Sequence, residues 1–438
     1  MPETLSATWL LHHPLRSLVV LFAAWKTFLL LIACCSPGEG YDTSTSLVMS
    51  PLGGNGMIAL PTAFQYLAKK LTRWDAIYFL QTSSRGYLFE QEWAFGWGFT
   101  RLIHFFASVL REVGVPSYNG LESCLAILIA HSSHLFSVLC LFKLSFAVLP
   151  DCTTKFAFTS AALHILSPAG LFLSAPYAES SCALLSFAGS LVFIASLAND
   201  GQESLGHDLL VVVSGVLFAI ATTFRSNGIL NGLLLLQEAV RTLLKLSYGL
   251  RVATVRRLIF TGFGGLVVGG GLLVPQYIAW SEYCTELEVE VLRPWCNKTV
   301  PSIYAFVQDH YWNVGLFRYW TVSNVPLFLL ATPMSILAVV SGIWASAYAQ
   351  EPKSRASTNS GWVIKNMAIS QLLLTTITWT SAHVQIITRI SSSFPIWVWY
   401  IATLVQKNED LWGGNTVRYM FMYAVIQGGL FASFLPPA

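Results

Sequence analysis

Side chains able to bind or activate a substrate gather in four short stretches of this 438-residue chain, each mixing charge with rings or hydroxyls. The first is Arg73-Trp74-Asp75-Ala76-Ile77-Tyr78-Phe79, leading to Arg85-Gly86-Tyr87 and Glu90-Gln91-Glu92-Trp93. On a helical turn Asp75, Tyr78 and Phe79 share a face at i, i+3 and i+4. A carboxylate beside rings suits a sugar, since the rings stack on a pyranose and the acid accepts a hydroxyl proton. The competing reading is an interfacial helix with Trp and Tyr at the headgroups and Asp75 capping it or pairing with Arg73. Glu90 and Glu92 read as solvated loop acids.

The second stretch is Gln308-Asp309-His310-Tyr311-Trp312-Asn313-Val314-Gly315. A helix there brings Asp309, Trp312 and Asn313 together, again an acid, a plate and an amide; a capping turn into the next span is the alternative. The third is His383-Val384-Gln385-Ile386-Ile387-Thr388-Arg389-Ile390-Ser391-Ser392-Ser393-Phe394-Pro395, where helical spacing lines up Gln385, Arg389 and Ser392. An arginine at a membrane boundary is costly unless it meets an anion such as a lipid phosphate, or snorkels to the interface. The fourth joins Ser167-Pro168-Ala169 and Ser174-Ala175-Pro176-Tyr177-Ala178-Glu179-Ser180 to Phe224-Arg225-Ser226-Asn227-Gly228. Glu179 and Arg225 fall in apolar surroundings, so each needs a partner, and pairing with each other is the structural reading.

The elements that must carry these groups are membrane helices. Charged residues are 11% of the chain, hydrophobic residues 54%, and mean hydropathy is +0.59. A soluble protein averages roughly 25% charged residues, so too few remain to cover a globule of this size. The same figures exclude disorder and a small disulfide scaffold. The net charge of +3, with no basic run interleaved with aromatics, argues against a nucleic-acid partner. The expectation is an all-α polytopic membrane protein in one integral-membrane domain over 1–438. A span takes about 20 apolar residues, which marks candidates near 15–35, 97–112, 121–149, 156–176, 180–198, 208–238 (one span or two), 258–280, 324–348, 366–388, 393–406 and 417–435, nine to eleven in all. The first is read as an uncleaved helix, because its Cys34-Cys35-Ser36-Pro37 flank lacks a small-x-small cleavage site.

Lysine and arginine in the loops set the orientation. The connection 241–257 has Arg241, Lys245, Arg251, Arg256 and Arg257 and no acid, and 349–365 has Lys353, Arg355 and Lys365 against Glu351. Both are expected on the cytosolic side. Residues 281–323 carry five acids (Glu282, Glu286, Glu288, Glu290, Asp309) and three bases, so they belong on the opposite face. Glu286, Glu288 and Glu290 alternate like the wet face of a strand. Asn297-Lys298-Thr299, the one N-glycosylation sequon in the chain, lies in this loop and agrees with that assignment. Cys284 and Cys296 share the loop, either paired or as two free thiols. The long segment 36–96 is expected on the same, luminal, side as 281–323, with interfacial helices. The sides of the helices between 97 and 240 stay open.

Two large luminal loops carrying acids and rings favour an enzyme with a lipid-linked substrate over a channel or pump. A polytopic lipid or solute transporter is the alternative from another class. It would place ionisable groups in mid-span and show repeat symmetry, and no internal repeat is visible. No P-loop, GxGxxG or HExxH pattern occurs, and no Asp-x-Asp that would hold a sugar nucleotide through a metal. Neither a metal site nor a cofactor is expected.

Six motifs in order resemble the GPI mannosyltransferase 2 family, of the PIG-V type. They are RWDAIYFL with RGYLFEQEWAF at 73–95, SPAGLFLSAPYAES at 167–180, RSNG at 225–228, PWC at 294–296, QDHYWNVG at 308–315 and HVQIITRISSSFP at 383–395. The chain departs from the animal form at Gln91, Trp97 and Thr100, and its short 407–416 connection is similar to the compact fungal version. The resemblance implies a GT-C fold in the endoplasmic-reticulum membrane with a luminal active site. It implies dolichyl-phosphate-mannose as donor substrate and the mannosyl-glucosaminyl-acylphosphatidylinositol intermediate as acceptor, joined through an α-1,6 bond. Membrane lipids and a small membrane partner subunit complete the expected partners, and a sister mannosyltransferase with another lipid-linked acceptor is the alternative within the class. The resemblance singles out Trp74-Asp75 and Gln308-Asp309 as functional pairs.

With that donor the β-linked mannose becomes α-linked, so the reaction inverts and needs one general base. Asp75 is the first candidate and Asp309 the second. Arg389, His383 and Arg225 are the cations available to the leaving phosphate. Arg73, Trp74, Tyr78, Glu179, Gln308, Trp312, Asn313 and Gln385 complete the expected substrate contacts.

Overall fold

The computed structural model describes residues 11–38, 43–49, 58–116, 118–197, 204–285, 293–349, 358–407 and 411–435. Glu286, Glu288, Glu290, Glu351, Lys353 and Arg355 lie outside them. Helix α1 runs Pro14–Cys35, and three short helices follow, α2 Ser44–Met49, α3 Thr62–Leu71 and α4 Asp75–Arg85. Next come α5 Trp97–Glu112, α6 Leu121–Val148, α7 Thr154–Ile165 and α8 Glu179–Ala195. They are followed by α9 Leu205–Phe224, α10 Gly232–Ser247, α11 Val252–Cys284 and α12 Ile303–Trp312. The chain closes with α13 Val325–Tyr348, α14 Thr358–Ser381, α15 Ile387–Ile390, α16 Ile396–Gln406 and α17 Gly413–Ala432. The only described strands are a two-residue parallel pair, Ile58–Ala59 with Tyr118–Asn119. The expected all-α polytopic architecture is the observed one.

Among the described residues five helices are long and apolar enough to cross a bilayer: Pro14–Cys35, Leu121–Val148, Leu205–Phe224, Val252–Cys284 and Val322–Tyr348. Two expected spans are broken and the window left as one span or two divides, each at a chemically informative stretch. The 156–176 window stops at Ile165, because Pro168 cannot donate to a continuing helix; a 3-10 turn, Gly170–Leu173, takes over. The 208–238 window divides at Arg225, whose φ of −144° is extended, into α9, the 3-10 turn Ser226–Asn231 and α10. Glycine is required at this break: a Cβ on Gly228 would lie 2.6 Å from Thr222 N, and one on Gly96 would lie 1.8 Å from Phe224 O. The 366–388 window ends at Ser381, and 384–393 is a chain of short turns. Gln385, Arg389 and Ser392 therefore do not form the helical stripe expected of them.

Irregular backbone survives in an apolar bundle only where the protein satisfies its polar groups. Here it does so with side chains. Ser391, Ser392 and Ser393 hydroxyls donate to Thr388, Arg389 and Ile390 carbonyls. Trp397 Nε1 donates to Ser391 O at 2.9 Å, and His164 Nε2 lies 2.9 Å from Ser392 O. Asn227 Nδ2 donates to Ser393 Oγ at 3.1 Å, binding one broken stretch to another. The breaks converge on one region of the fold.

Candidate active site

Arg389 is the hub of that region. Its Nη1 donates to Asp75 Oδ2 at 3.0 Å, and its Nε lies 3.8 Å from Glu179 Oε1. The guanidinium carbon sits 4.7 Å from the Phe172 ring centre and 5.4 Å from that of Tyr177. Burial works against the charge, but Asp75, Glu179 and Tyr177 outweigh it, so Arg389 holds its proton more firmly than a free arginine. This removes the snorkelling alternative: its side chain is only 12% exposed.

Glu179 opens α8 just after Pro176 and Tyr177, and its side chain is fully buried. Arg225, at the break after α9, approaches it at 3.5 Å, so the expected Glu179–Arg225 pairing is present. Neither Glu179 oxygen receives a hydrogen bond from the described protein; the two arginines meet its charge from a distance. Asp75, Glu179, Arg225 and Arg389 thus form a cluster with two charges of each sign.

Asp75 starts α4 directly after Trp74, whose φ of +55° lies in the left-handed region that a bulky L-residue rarely adopts. Such an outlier persists where the surroundings over-determine it. Trp74 packs on Phe434 at 5.0 Å, and Tyr177 OH donates to Arg73 O at 3.1 Å. Arg73 is buried against Thr45 Oγ1 (3.2 Å), Ala432 O (3.5 Å) and the Phe434 ring, so its guanidinium is committed to the fold. Asp75 therefore pairs with Arg389, not with Arg73.

One turn on, Tyr78 stacks on Phe95 at 4.4 Å, and Trp312 meets Phe95 edge-on at 5.7 Å. These rings form a half-buried aromatic wall near Asp75, while Phe79 is fully buried in the core. Burial raises the Tyr78 phenol above its ordinary value, and Asp75 and Glu92 add to this, so it stays a neutral hydrogen-bond donor.

The second acid candidate is placed differently. Asp309 pairs with Arg318, and both side chains are about half exposed. Gln308 is half-buried on the same helix, and its carbonyl accepts Val314 N at 2.8 Å. Asn313 caps the helix with φ of +49° and is exposed, the capping turn that the sequence offered as the alternative. Gln385 accepts from Tyr319 OH at 3.2 Å, and the same tyrosine ring contacts His383 at 4.9 Å. Burial pushes His383 below the usual histidine value; Asp75 opposes this and Arg389 reinforces it.

Glu90 and Glu92 are corrected from solvated loop acids to buried ones. Glu92 pairs with Arg85 and accepts Leu88 N at 2.8 Å and Phe89 N at 3.1 Å. Glu90 accepts from Trp295 Nε1 at 2.9 Å and from Tyr311 OH at 3.2 Å. Cys284 and Cys296 are disulfide-bonded, which resolves the alternative left by the sequence and fixes the turn carrying Trp295. Glu90 thereby ties the turn at 90–94 to the disulfide-bonded turn at Trp295 and to α12 at Tyr311. The basic connection 241–257 lies toward the other end of α11, whose 33 residues span about 50 Å. No local pattern reveals Glu90, because its partners stand more than 200 positions away.

Fold and site together define a multi-pass helical membrane protein whose buried acid–arginine cluster adjoins an aromatic wall. Residues 16–438 match the family described as Mannosyltransferase (PIG-V), and the chain belongs to that family. It is a mannosyltransferase, as the six motifs lead one to expect. Three relatives named GPI mannosyltransferase 2 show the extent of the likeness. That of Gibberella zeae is 42% identical over 97% of this chain and 98% of its own length. That of Chaetomium globosum is 43% identical over 97% of each, and that of Aspergillus fumigatus 41% identical over 98% and 94%. Among solved structures, an Archaeoglobus fulgidus oligosaccharyltransferase tethered to an acceptor peptide aligns at 12% identity with a TM-score of 0.46; the chain covers 56% of that protein.

Proposed function

We propose that this protein transfers the second mannose to the GPI-anchor precursor, as a GT-C type enzyme of the endoplasmic-reticulum membrane. Dolichyl-phosphate-mannose is the donor, mannosyl-glucosaminyl-acylphosphatidylinositol the acceptor, and an α-1,6 bond the product. The observation that carries the reading is the Asp75–Arg389 ion pair at 3.0 Å, which brings an acid and a phosphate-binding fork together beside stacking rings.

An incoming phosphodiester competes for the Arg389 guanidinium and releases Asp75 from it. Asp75 then takes the proton of the acceptor hydroxyl as its oxygen attacks C1 of mannose. The C1–O bond to phosphate breaks, its electron pair stays on the phosphate oxygen, and the anomeric configuration inverts. Arg389 neutralises the added charge on the departing phosphomonoester, with Glu179 and Arg225 holding it in place. Tyr78, Phe95 and Trp312 offer ring faces to a sugar. Asp309 is the weaker candidate for the base, because its partner Arg318 is solvent-exposed and, among the described residues, no second cation pairs with it. The reading assigns no metal or cofactor to the site: Arg389 and Arg225 are the groups that meet the charge of the leaving phosphate. Gln308, Asn313 and Gln385 stay assigned to substrate contact, and a small partner subunit remains part of the proposal.

The test is the pattern of lipid-linked GPI intermediates in cells lacking the protein. The one-mannose species should accumulate and disappear on re-expression; an unchanged pattern rejects the assignment. The luminal placement of both large segments has its own check at Asn297, which is exposed beside the disulfide. Peptide N-glycosidase should sharpen the protein's mobility, and Asn297→Gln should abolish that shift. A shift that survives the substitution would overturn the topology.

A further inference from the structure

We propose that Lys26, in the first membrane helix, is a positioning residue for the Arg389 guanidinium. An ionisable group inside a membrane span is retained only where something requires it. Lys26 lies in the middle of α1 and is 4% exposed, and among the described residues no carboxylate comes within ion-pair distance of it. Its Nζ donates instead to Leu173 O at 3.0 Å and to Ser174 Oγ at 2.8 Å.

Those acceptors belong to the turn that flanks Arg389. Leu173 closes the 3-10 turn Gly170–Leu173, where the backbone ceases to satisfy its own carbonyls. Its oxygen also accepts from Ser180 Oγ at 3.1 Å, so Lys26 and α8 both hold the turn. Phe172 is the neighbour of this anchor and lies against the Arg389 guanidinium. Tyr177, five residues after Phe172, lies against the same group and holds Arg73 O next to Trp74 and Asp75. Lysine suits the position because its terminal nitrogen donates to two acceptors at once in surroundings shielded from solvent. Losing these bonds lets the turn relax, the two rings drift, and the fork meets the phosphate off-line.

The inference rests on the proposal that Arg389 receives the donor phosphate, and the experiment separates the two. Lys26→Met, Lys26→Gln, Ser174→Ala, Arg389→Lys and the double variant Lys26→Met/Arg389→Lys are purified in lipid nanodiscs. Each is assayed with a short-chain polyprenyl-phosphate-mannose and a synthetic mannosyl-glucosaminyl-inositol lipid. Displacing a catalytic fork by a fraction of an ångström costs about 10-fold or more in turnover. Lys26→Met should therefore lower kcat at least that much, with the acceptor KM unchanged. Lys26→Gln, which keeps a donor, should recover kcat to within about threefold of wild type. The double variant should be no slower than Arg389→Lys alone, because both act through one group.

Lys26→Met with wild-type kcat, Lys26→Gln as slow as Lys26→Met, or losses that multiply in the double variant each overturn the positioning role. If Lys26→Met does not fold, Ser174→Ala decides, alone and combined with Arg389→Lys: a lower kcat that adds nothing to Arg389→Lys supports the role, and an unchanged kcat rejects it. Full activity of Arg389→Lys defeats the parent reading instead, whatever Lys26 does.

Discussion

Asp75→Asn should insert and fold like the wild type yet turn over about 10²–10⁴ times more slowly, the range typical of a lost general base. The substitution is nearly isosteric and keeps an oxygen to accept from Arg389. What it removes is the negative charge and the capacity to take a proton. A second consequence distinguishes this from general damage. With Asp75 neutral, Arg389 no longer has a carboxylate in the place a phosphate must occupy, so the donor KM should stay level or fall while kcat collapses. Asp309→Asn is the control. Its ion pair with Arg318 is exposed on both sides, and exposed pairs are worth about 0–1 kcal/mol. Turnover for that variant should stay within a few-fold of wild type. Steady-state kinetics of both variants with the synthetic acceptor decides, and a larger loss at Asp309 would transfer the role of base to that residue.

The reason Asp75 and not Asp309 stands out was only half visible in the chain. Composition and periodicity lead directly to a helical membrane protein, because burial of apolar length in a bilayer is a local property of each segment. The residue types at the site were equally legible: an acid, an arginine or a glutamate within apolar sequence demands a partner, and Asp75, Glu179, Arg225 and Arg389 all have one. Which partner is chosen is a long-range matter. Asp75 and Arg389 lie 314 positions apart, and nothing in their neighbourhoods says that Asp75 pairs there instead of with Arg73 two residues away. Helical periodicity also misled at 384–393 and 167–176, and at 225–231 it left one span or two open. Serine, proline and glycine there exchange helix bonds for side-chain bonds, and the site is built from those exchanges. Glu90 and Lys26 were missed for the same reason: each looks ordinary until a distant indole or carbonyl is set beside it.

Arg389→Lys, the conservative exchange by charge, should be nearly as damaging as loss of the base. Lysine keeps one positive charge but loses the planar fork that faces Asp75 with one nitrogen and Glu179 with another. It also loses the flat surface that lies against Phe172 and Tyr177. Removing a preorganised donor from developing negative charge typically costs about 10²–10³ in kcat. Because a phosphate still attracts an ammonium, the loss should fall mainly on kcat, with the donor KM changed far less. Arg389→Met differs in kind, since it leaves the fully buried Glu179 with Arg225 alone at 3.5 Å. Breaking a buried charge pair costs about 3–5 kcal/mol, so this variant should melt early or fail to accumulate. The pair of outcomes is diagnostic: a folded, slow Arg389→Lys beside an unstable Arg389→Met means that the charge holds the fold and the fork performs the chemistry. An Arg389→Lys enzyme at wild-type speed would mean that the leaving phosphate is met elsewhere, with Arg225 the next group to replace.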